Sequence, residues 1–398
     1  MSEKVIVAGV GMVAFTKPGA GEAYDLMASR AITAALADAG LEYGQIRQAY
    51  ASYVYGDSTS GQCALYRVGQ SGIPVINVNN NCASGSSALY LARQAVMGGV
   101  AECVLAFGFE QMRRGALTEH WDDRPGPLAR FIEATAQAQR WDPGLPMAAQ
   151  LFGGAGREHM KRYGTREETF ARIAVKARQH AARNPFAVFT DQVTLDEVLA
   201  SPAIYAPLTR LQCCPPTCGA AAAVLCSPDF ARRHALSTQV AIVGQAMTTD
   251  RADSFDPGDL RRVVGSGMTA AAAAQAYEAA GLGPEDVDVV ELHDCFTTNE
   301  LIAYEALGLA AEGEAERMIL DGDNTYGGRY VVNPSGGLLS KGHPLGATGL
   351  AQCAELVWQL RGEAGARQVE GARLGLQHNI GLGGACVVTL FARQRVVG

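Results

Sequence analysis

The sequence predicts an α/β protein built from two similar halves, with a further segment inserted into the first half. Three observations support this fold class. The chain has 398 residues, enough for two or three layered units. Its composition, with 48% hydrophobic residues, 18% charged residues and 46 glycines, is typical of a compact enzyme and excludes a mainly disordered or fibrous protein. The third observation is an internal repeat of strand-like and helix-like segments.

The repeat pairs segments of the first half with segments of the second. The matched segments are strands at 5–9 and 240–244, helices at 25–39 and 268–280, strands at 49–54 and 287–292, helices after Cys82 and after His343, and strands at 103–107 and 374–376. Strands that alternate with helices at this spacing predict mainly parallel sheets, and short connections pack the sheets of the two copies together as helix-covered layers.

A polar, Pro- and Gly-punctuated stretch with its own helices interrupts the repeat. We therefore predict an N-terminal half formed by residues 1–112 and 206–235, an inserted domain at 113–205, and a C-terminal half at 236–398.

Charge and targeting signals exclude several classes of function. With 33 basic and 40 acidic residues the net charge is −7, so we expect neither nucleic acid nor an anionic membrane as a partner. The start, Met1 to Lys4, lacks the features of a signal peptide, and no apolar run is long enough to span a membrane. Ten cysteines, many of them in apolar runs, indicate a reducing compartment. We expect a cytoplasmic protein.

Two motifs that suggest cofactors or metals are discounted. The run from Gly9 to Ala14 resembles a dinucleotide-binding fingerprint, but Pro18 and Gly19 interrupt the helix that would face a pyrophosphate, so we reject nicotinamide binding. The cluster Cys213-Cys214-Pro-Pro-Thr-Cys218 has no second cysteine pair and no histidine at ligand spacing. We therefore expect buried structural thiols there and no metal site.

The segment Asn81-Cys82-Ala83-Ser84-Gly85 places a cysteine where a helix begins. The positive end of the helix dipole and free backbone amides predict a thiolate stabilised below the ordinary pKa of about 8.5. A cysteine that only packs as a small hydrophobic residue is the alternative, and it would be favoured if Cys82 stood alone.

Three histidine segments of the second half favour the reactive interpretation. His343 lies between Gly342 and Pro344 on a loop before a helix, and His293 follows a predicted strand in Glu291-Leu292-His293-Asp294-Cys295-Phe296. His378 and Asn379 precede the glycines 381, 383 and 384, which allow close approach of the backbone to a ligand. Ligand sites gather at the carboxyl ends of parallel strands, so we expect these segments to converge on Cys82.

The inserted stretch carries a local surplus of positive charge. Its basic residues are Arg157, Lys161, Arg162, Arg166, Arg172, Lys176, Arg178 and Arg183, against three glutamates. Phosphate groups could bind there, and we select Arg157, Lys161, Arg178 and Arg183 as candidates. A solvated helix face with i,i+4 charge pairs explains any one of them at least as well.

With these motifs in view, the chain resembles the thiolases, and specifically the thiolase of sterol carrier protein X type. The motifs that carry the resemblance are Asn77 to Gly85, Leu211 to Pro215, His293-Asp-Cys-Phe296, Asn333 to Gly337, Gly342-His-Pro-Leu-Gly346 and His378-Asn379. It implies a five-layered αβαβα fold of two similar halves with an inserted loop domain, in a homodimer or homotetramer. It also implies CoA and acyl-CoA as partners, with CoA a co-substrate and no tightly bound cofactor.

The resemblance also implies a role for each site residue. Cys82 would be the nucleophile that takes the acyl group, His343 would accept its proton, and Cys295 would be the acid/base at the acetyl carbon. His293 and His378 would orient water and the thioester, and Asn379 would contact substrate. The amides of Cys82 and Gly381 would form an oxyanion hole for the charge that develops on the thioester carbonyl.

The expected reaction is the CoA-dependent cleavage of a 3-ketoacyl-CoA into acyl-CoA and acetyl-CoA or propionyl-CoA, or the reverse Claisen condensation. A decarboxylating ketoacyl synthase is the first alternative, because Cys82, His293 and His343 also form the Cys-His-His set of such enzymes. A non-catalytic acyl-CoA or lipid-binding scaffold is the second. We expect no lipid transfer from this chain alone, because no sterol-carrier module follows the thiolase unit.

Overall fold

The computed structural model describes residues 4–113 and 121–394. Residues 1–3, which belong to the start that lacks the features of a signal peptide, lie outside this part of the chain, as do residues 114–120 of the predicted inserted domain and residues 395–398 of the predicted C-terminal half. The strands are β1 Val5–Met12, β2 Gln48–Ser52, β3 Val75–Val78, β4 Cys103–Glu110, β5 Ala203–Tyr205, β6 Leu208–Thr209, β7 Gly219–Cys226, β8 Val240–Thr248, β9 Val289–Glu291, β10 Val331–Val332, β11 Leu374–Gly381 and β12 Ala385–Arg393. The helices are α1 Tyr24–Ala39, α2 Ser60–Tyr66, α3 Ser84–Met97, α4 Ala129–Ala138, α5 Met147–Tyr163, α6 Glu167–Ala181, α7 Leu195–Ala200, α8 Pro228–Arg233, α9 Leu260–Val263, α10 Ser266–Ala280, α11 Thr297–Ala306, α12 Ala315–Leu320, α13 Gly337–Ser340 and α14 Leu345–Arg361.

Ten strands form one sheet whose two halves have the same internal order. The order β3-β2-β4-β7-β1 in the first half corresponds to β10-β9-β11-β12-β8 in the second. The halves meet edge to edge through two antiparallel residue pairs, Val5 with Ile242 and Ile6 with Ala241. The predicted repeat of two similar halves is therefore confirmed.

The direction of the strands differs from the expectation of mainly parallel sheets, which is wrong. Parallel pairing joins β2 to β3 and β4, and β9 to β10 and β11. The pairs β4–β7, β7–β1, β11–β12 and β12–β8 are antiparallel. The reason is plainest in the second half, where β12 follows β11 after only three residues, and a connection that short can join only antiparallel strands.

The helices cover both faces of the two half-sheets and produce five layers. Helices α3 and α14 lie between the half-sheets in a shared core, while α1 and α2 cover the other face of the first half and α10 and α11 that of the second. Alternate residues of β1 divide between two of these cores: Val5 and Val7 face the middle layer, and Ile6 and Ala8 face α1. The αβαβα arrangement is confirmed.

The glycines of the run from Gly9 to Ala14 serve helix packing. A Cβ atom at Gly9 would lie 2.3 Å from the carbonyl oxygen of Ala35, and one at Gly11 would lie 2.5 Å from that of Ala31. Both carbonyls belong to α1, so the glycines of β1 let this helix lie directly on the strand.

The stretch between β4 and β7 carries helices α4 to α7, and these pack mainly on the second half. Helices α5 and α6 both contact α11, and Phe152 of α5 stacks on Phe296 with ring centroids 4.9 Å apart. The domain boundaries at 112/113 and 205/206 stay a prediction. None of the helices in the described residues is both long enough and apolar enough to cross a membrane.

Candidate active site

Cys82 and His343 occupy equivalent positions in front of the two middle helices. Cys82 lies two residues before α3 begins, and His343 lies two residues before α14 begins. The first turns of these helices touch, because a Cβ atom at Gly85 would lie 2.9 Å from the carbonyl oxygen of Gly346. The repeat therefore brings the thiol and the imidazole to one place.

His293 completes a compact group with them. The Sγ atom of Cys82 and one ring nitrogen each of His293 and His343 all lie within 4.8 Å of one another. The two imidazole rings meet edge to face, with centroids 5.1 Å apart. The predicted convergence of these three residues is present in the structure.

The hydrogen bonds of His343 define its tautomer. Its Nδ1 lies 2.7 Å from the hydroxyl of Thr348, which donates its own proton to the carbonyl oxygen of Pro344. Nδ1 must therefore carry a proton and donate to Thr348, which leaves a lone pair on Nε2. Nε2 is buried and has no hydrogen-bond partner among the described residues. Burial, with the charge of Lys341, lowers the pKa of His343 to about 3, so the ring is a neutral base.

The thiol of Cys82 differs from the expectation of a stabilised thiolate. Burial, with a smaller contribution from the carboxylate of Glu110, raises its pKa to about 12, while the backbone amide of Cys82 opposes the shift. The loss of solvation on burial therefore raises the pKa of Cys82 by more than the helix N-terminus lowers it. The prediction of a lowered pKa is wrong, and Cys82 rests as a neutral thiol beside a neutral base.

Asn379 supports His293. Its Nδ2 atom lies 2.8 Å from Nδ1 of His293, and its Oδ1 accepts a hydrogen bond from Ser86. Both polar ends of this fully buried side chain are therefore engaged by protein groups. The substrate contact expected of Asn379 stays a prediction.

His378 lies behind His293. Its Nδ1 accepts from the backbone N–H of His293 at 3.4 Å, and its Nε2 lies 3.1 Å from the hydroxyl of Thr269. Burial lowers its pKa to about 3. Both ring nitrogens of His378 have protein partners, and one of them supports the backbone at His293. The expected role of His378 in orienting water or the thioester stays a prediction.

Two further thiols lie near Cys82. Burial raises the pKa of Cys295 well above its usual value, and repulsion from the neighbouring Cys214 and Cys82 sulfurs would raise it further if they ionised. The backbone N–H of Cys214 donates to the carbonyl oxygen of Cys295 at 2.9 Å. Cys213 and Cys214 are partly exposed, in contrast to the buried structural thiols predicted, while Cys218 is buried. Both partly exposed thiols pack against the hydrophobic core of the second half.

The loop after β11 presses against the turn that holds Cys82. A Cβ atom at Gly381 would lie 2.1 Å from the carbonyl oxygen of Asn80, and the side chain of Asn81 donates to the carbonyl oxygen of Leu382 at 3.1 Å. Close backbone approach is thus the reason for glycine at 381. The use of the Cys82 and Gly381 amides as an oxyanion hole stays a prediction.

A thiol and two imidazoles at this spacing are also a possible ligand set for a soft cation such as Zn²⁺. A metal ligand needs a lone pair on the nitrogen that faces the ion. Because Nδ1 of His293 accepts from Asn379, its proton belongs on Nε2, and His293 offers a donor in place of a lone pair. The hydrogen bonds favour proton transfer over metal binding.

The basic residues of the inserted stretch are not one free cluster. Arg157 donates to Gln139 and to the hydroxyl of Tyr205, and Lys161 is exposed. The guanidinium of Arg178 lies over the ring of Phe189, and that of Arg183 over the ring of Tyr326.

Several of their neighbours have carboxylate partners. Arg162 pairs with Glu158, Arg166 with Glu316, and the buried Lys176 with Glu300. Phosphate binding by Lys161, Arg178 and Arg183 stays a prediction, whereas Arg157 is largely committed to its own neighbours.

Sequence reasoning missed the residues that orient the imidazoles. Thr348 fixes His343, and Thr217 accepts a hydrogen bond from the backbone N–H of His343 at 2.6 Å. It also missed Glu110, whose carboxylate accepts from the amides of Val54, Tyr55 and Gly346 and so ties the two halves together. Of these residues only Thr348 could have been found from the sequence, because it lies within the glycine-rich motif after His343.

Comparison with known proteins identifies what this arrangement resembles. Residues 5–229 match the family model of the thiolase N-terminal domain, and residues 259–392 match that of the thiolase C-terminal domain-like family. Together these two models cover most of the chain.

Individual relatives match over almost the whole chain. Sterol carrier protein 2 of Rattus norvegicus is 53% identical over 392 residues, covering 98% of this chain and 72% of that protein. An acetyl-CoA acetyltransferase of Methanothermobacter thermautotrophicus is 38% identical over 401 residues, covering 98% of this chain and 99% of that protein. The solved structure of an Ltp2-ChsH2(DUF35) aldolase superimposes with a TM-score of 0.83 at 28% identity, covering 99% of both chains.

Proposed function

The chain belongs to the thiolase family, and on that premise we propose that it uses CoA to cleave a 3-ketoacyl-CoA. The products are an acyl-CoA and acetyl-CoA or propionyl-CoA, and the reverse direction is a Claisen condensation. One observation carries this proposal. The buried Nε2 of His343 has a lone pair and no partner in the described part of the chain, and it belongs to a ring grouped with the thiol of Cys82.

The first half-reaction forms an acyl-enzyme. Nε2 of His343 takes the proton of Cys82 as the sulfur attacks the 3-keto carbon. Since the thiol pKa is raised to about 12 and that of His343 is lowered to about 3, no ion pair exists at rest, and proton transfer accompanies the attack. The bond between carbons 2 and 3 then breaks, and its electron pair leaves on carbon 2 of the acetyl-CoA unit.

The second half-reaction transfers the acyl group to CoA and regenerates the free enzyme. The carbanion at carbon 2 takes a proton from the thiol of Cys295, which burial keeps protonated. A molecule of CoA gives its thiol proton to Cys295, and its sulfur attacks the acyl carbonyl on Cys82. Cys82 leaves and recovers its proton from His343. The developing oxyanions receive hydrogen bonds from the Nε2–H of His293 and from the amides near Cys82 and Gly381.

An aldolase is the second candidate, because of the similarity to the Ltp2-ChsH2(DUF35) structure. Aldol cleavage breaks a carbon–carbon bond next to a hydroxyl-bearing carbon and needs neither an acyl-enzyme nor CoA as acceptor. The presence of Cys82 beside His343 favours the thiolase reaction, since a thiol nucleophile next to a histidine base is the arrangement that acyl transfer requires.

Acylation of Cys82 tests the proposal. Intact mass and peptide analysis after mixing with a 3-ketoacyl-CoA should show the acyl group on the peptide that contains Cys82, and cleavage should require added CoA. The Cys82→Ser variant should give no adduct at that peptide. Cleavage without CoA and without an adduct would support an aldolase, and decarboxylation of malonyl-CoA would support the synthase alternative. An enzyme inert toward all of these substrates would be a binding scaffold.

We also propose a homodimer or homotetramer in a reducing, cytoplasmic setting. Strand β3 is one edge of the sheet, and Ile76 on it is exposed, so a strand of a second copy could pair with it. All ten cysteines are free thiols. Sedimentation analysis of the purified protein measures the assembly.

A further inference from the structure

A buried chain of three polar side chains ends on His293. It consists of Gln377, Ser86 and Asn379, which we call the amide chain. Gln377 and Asn379 lie on the same face of β11, and Ser86 lies in the first turn of α3. The three residues and His293 are almost completely excluded from solvent. Water therefore does not compete for their hydrogen bonds, and each bond depends on its neighbours.

The orientation of the amide chain is fixed at its far end by the carbonyl oxygen of Gly349. A carbonyl oxygen can only accept, and it lies 2.6 Å from Nε2 of Gln377. The side-chain amide of Gln377 cannot be turned over, because its own oxygen would then face that carbonyl. Its second N–H points to the hydroxyl oxygen of Ser86 at 2.9 Å.

This orientation passes along the chain. Ser86 accepts from Gln377, so its single proton goes to Oδ1 of Asn379 at 2.9 Å. The nitrogen end of Asn379 then faces Nδ1 of His293 at 2.8 Å. Since Nδ1 accepts this N–H, the proton of the neutral imidazole lies on Nε2.

We propose that Ser86 and Gln377 are positioning residues that, through Asn379, hold His293 in the tautomer with its proton on Nε2. His293 thereby presents a hydrogen-bond donor to the substrate's oxygen, while His343 presents an acceptor to Cys82. Two imidazoles in one small site thus receive opposite roles from different neighbours: Thr348 for His343, and the amide chain for His293. The effect on turnover rests on the proposed function, whereas the tautomer itself does not.

Gln377→Glu is the decisive variant, because it keeps the shape of the side chain and the donation to Gly349 but reverses the hydrogen bonds that lead from residue 377 to His293. A protonated Glu side chain places one O–H where the amide nitrogen of Gln377 lies. Its single proton goes to the carbonyl oxygen of Gly349, so toward Ser86 the same oxygen can only accept. Ser86 would then donate to residue 377, the amide of Asn379 would turn over, and its oxygen would accept a proton from Nδ1 of His293. The substitution at residue 377 lies three hydrogen bonds away from His293 along the amide chain, and it should therefore move the proton of His293 from Nε2 to Nδ1.

The tautomer is read directly by ¹⁵N NMR of histidine-labelled protein, with the His293 signals identified by their loss in His293→Asn. We expect Nε2 protonated and Nδ1 unprotonated in the unchanged protein, and the reverse in Gln377→Glu. The matched control is Gln245→Glu, since Gln245 is also a buried glutamine on a strand and donates to Thr389, outside the amide chain. This control should leave the His293 signals unchanged.

Ser86→Ala is the second variant, and it serves if Gln377→Glu does not fold. It removes the proton donor to Asn379, so the amide can adopt both orientations and His293 should populate both tautomers. In thiolysis assays kcat should fall about 100-fold in Gln377→Glu with KM little changed, as expected for the loss of one oxyanion donor.

Different results would contradict the positioning role of Ser86 and Gln377 and the proposed thiolase function. A His293 proton on Nδ1 in the unchanged protein, or unaltered His293 signals in both folded variants, would overturn the positioning role. Full thiolysis in a Gln377→Glu enzyme with an inverted tautomer would also overturn it. If the tautomer switches as stated in a protein that cleaves no 3-ketoacyl-CoA, the positioning role stands and the proposed function fails.

Discussion

Nδ1 of His343 lies 2.7 Å from the hydroxyl of Thr348, which is also within 3.0 Å of the carbonyl oxygen of Pro344. A single hydroxyl cannot donate to both, so the carbonyl determines the direction of the histidine bond. The basic character of His343 is therefore set by a threonine five residues along the chain, in the first turn of α14.

Replacement of Thr348 tests this relationship. Thr348→Val keeps the shape of the side chain but removes the bond to Nδ1, so a fraction of His343 should place its proton on Nε2 and lose its basicity. The rate of Cys82 acylation should fall about 10- to 100-fold, less than the loss expected on removing a general base outright. Thr348→Ser should restore most of the rate. Equal rates in the valine and serine variants would show that the hydroxyl does not matter.

Cys295 and Cys214 form a matched pair of thiols for assigning the second acid/base. Cys295→Ala should nearly abolish thiolysis and yet allow Cys82 to be acylated by a simple acyl-CoA, because acylation needs only Cys82, His343 and oxyanion donors. Cys214→Ala should keep most of the thiolysis rate. Both rates are measured by the release or consumption of CoA thiol. Loss of thiolysis in Cys214→Ala alone would move the role to that residue.

Glu110 predicts a pH dependence of stability. Burial raises the pKa of its carboxyl to about 7 from an ordinary value near 4.5. The folded state therefore binds the proton more tightly, and this contribution to stability is present below about pH 4.5 and is lost as the pH rises through 7. Between pH 5.5 and 7.5 the stability of the unchanged protein relative to Glu110→Gln should fall by about 2 kcal/mol.

Urea unfolding at the two pH values measures this difference. Glu102→Gln is the control, because Glu102 is an exposed glutamate that pairs with Arg233 at the surface. Its difference from the unchanged protein should hardly vary with pH. A difference for Glu110→Gln that is equally flat would mean that Glu110 titrates normally.

Charge reversal tests the remaining phosphate candidates. Lys161→Glu combined with Arg183→Glu should weaken CoA binding about 10-fold at low salt and less at high salt, because exposed charges are screened. Acyl transfer from short thioesters without phosphates should be unaffected. Arg232→Glu is the control, since Arg232 is an exposed arginine on α8. An unchanged affinity for CoA at low salt would mean that the basic residues form a solvated helix face and do not bind phosphates.

The sequence predicted the parts of the molecule that local pattern determines. The repeat predicted equal halves, and glycine and proline around His343 singled out that loop. The sequence could not predict that β7 runs against its neighbours, because a strand buried on both faces has the same apolar pattern in either direction. The direction of β12 was missed although the short connection Leu382 to Gly384, with two glycines, favours a hairpin. The raised pKa of Cys82 was missed because burial is a property of the folded chain. The protons on His293 and His343 depend on residues from several elements, and no local motif records them.

The correspondence between the two halves includes Cys82 and His343. Cys82 before α3 and His343 before α14 are the same position in two copies of one unit. If the copies descend from a duplicated ancestor, that ancestor could form such a site only by self-association, with identical residues facing each other across a twofold axis. In a single chain the two positions are encoded separately, so one can carry a thiol and the other an imidazole. The internal symmetry of the fold therefore does not impose symmetry on the chemistry of the site.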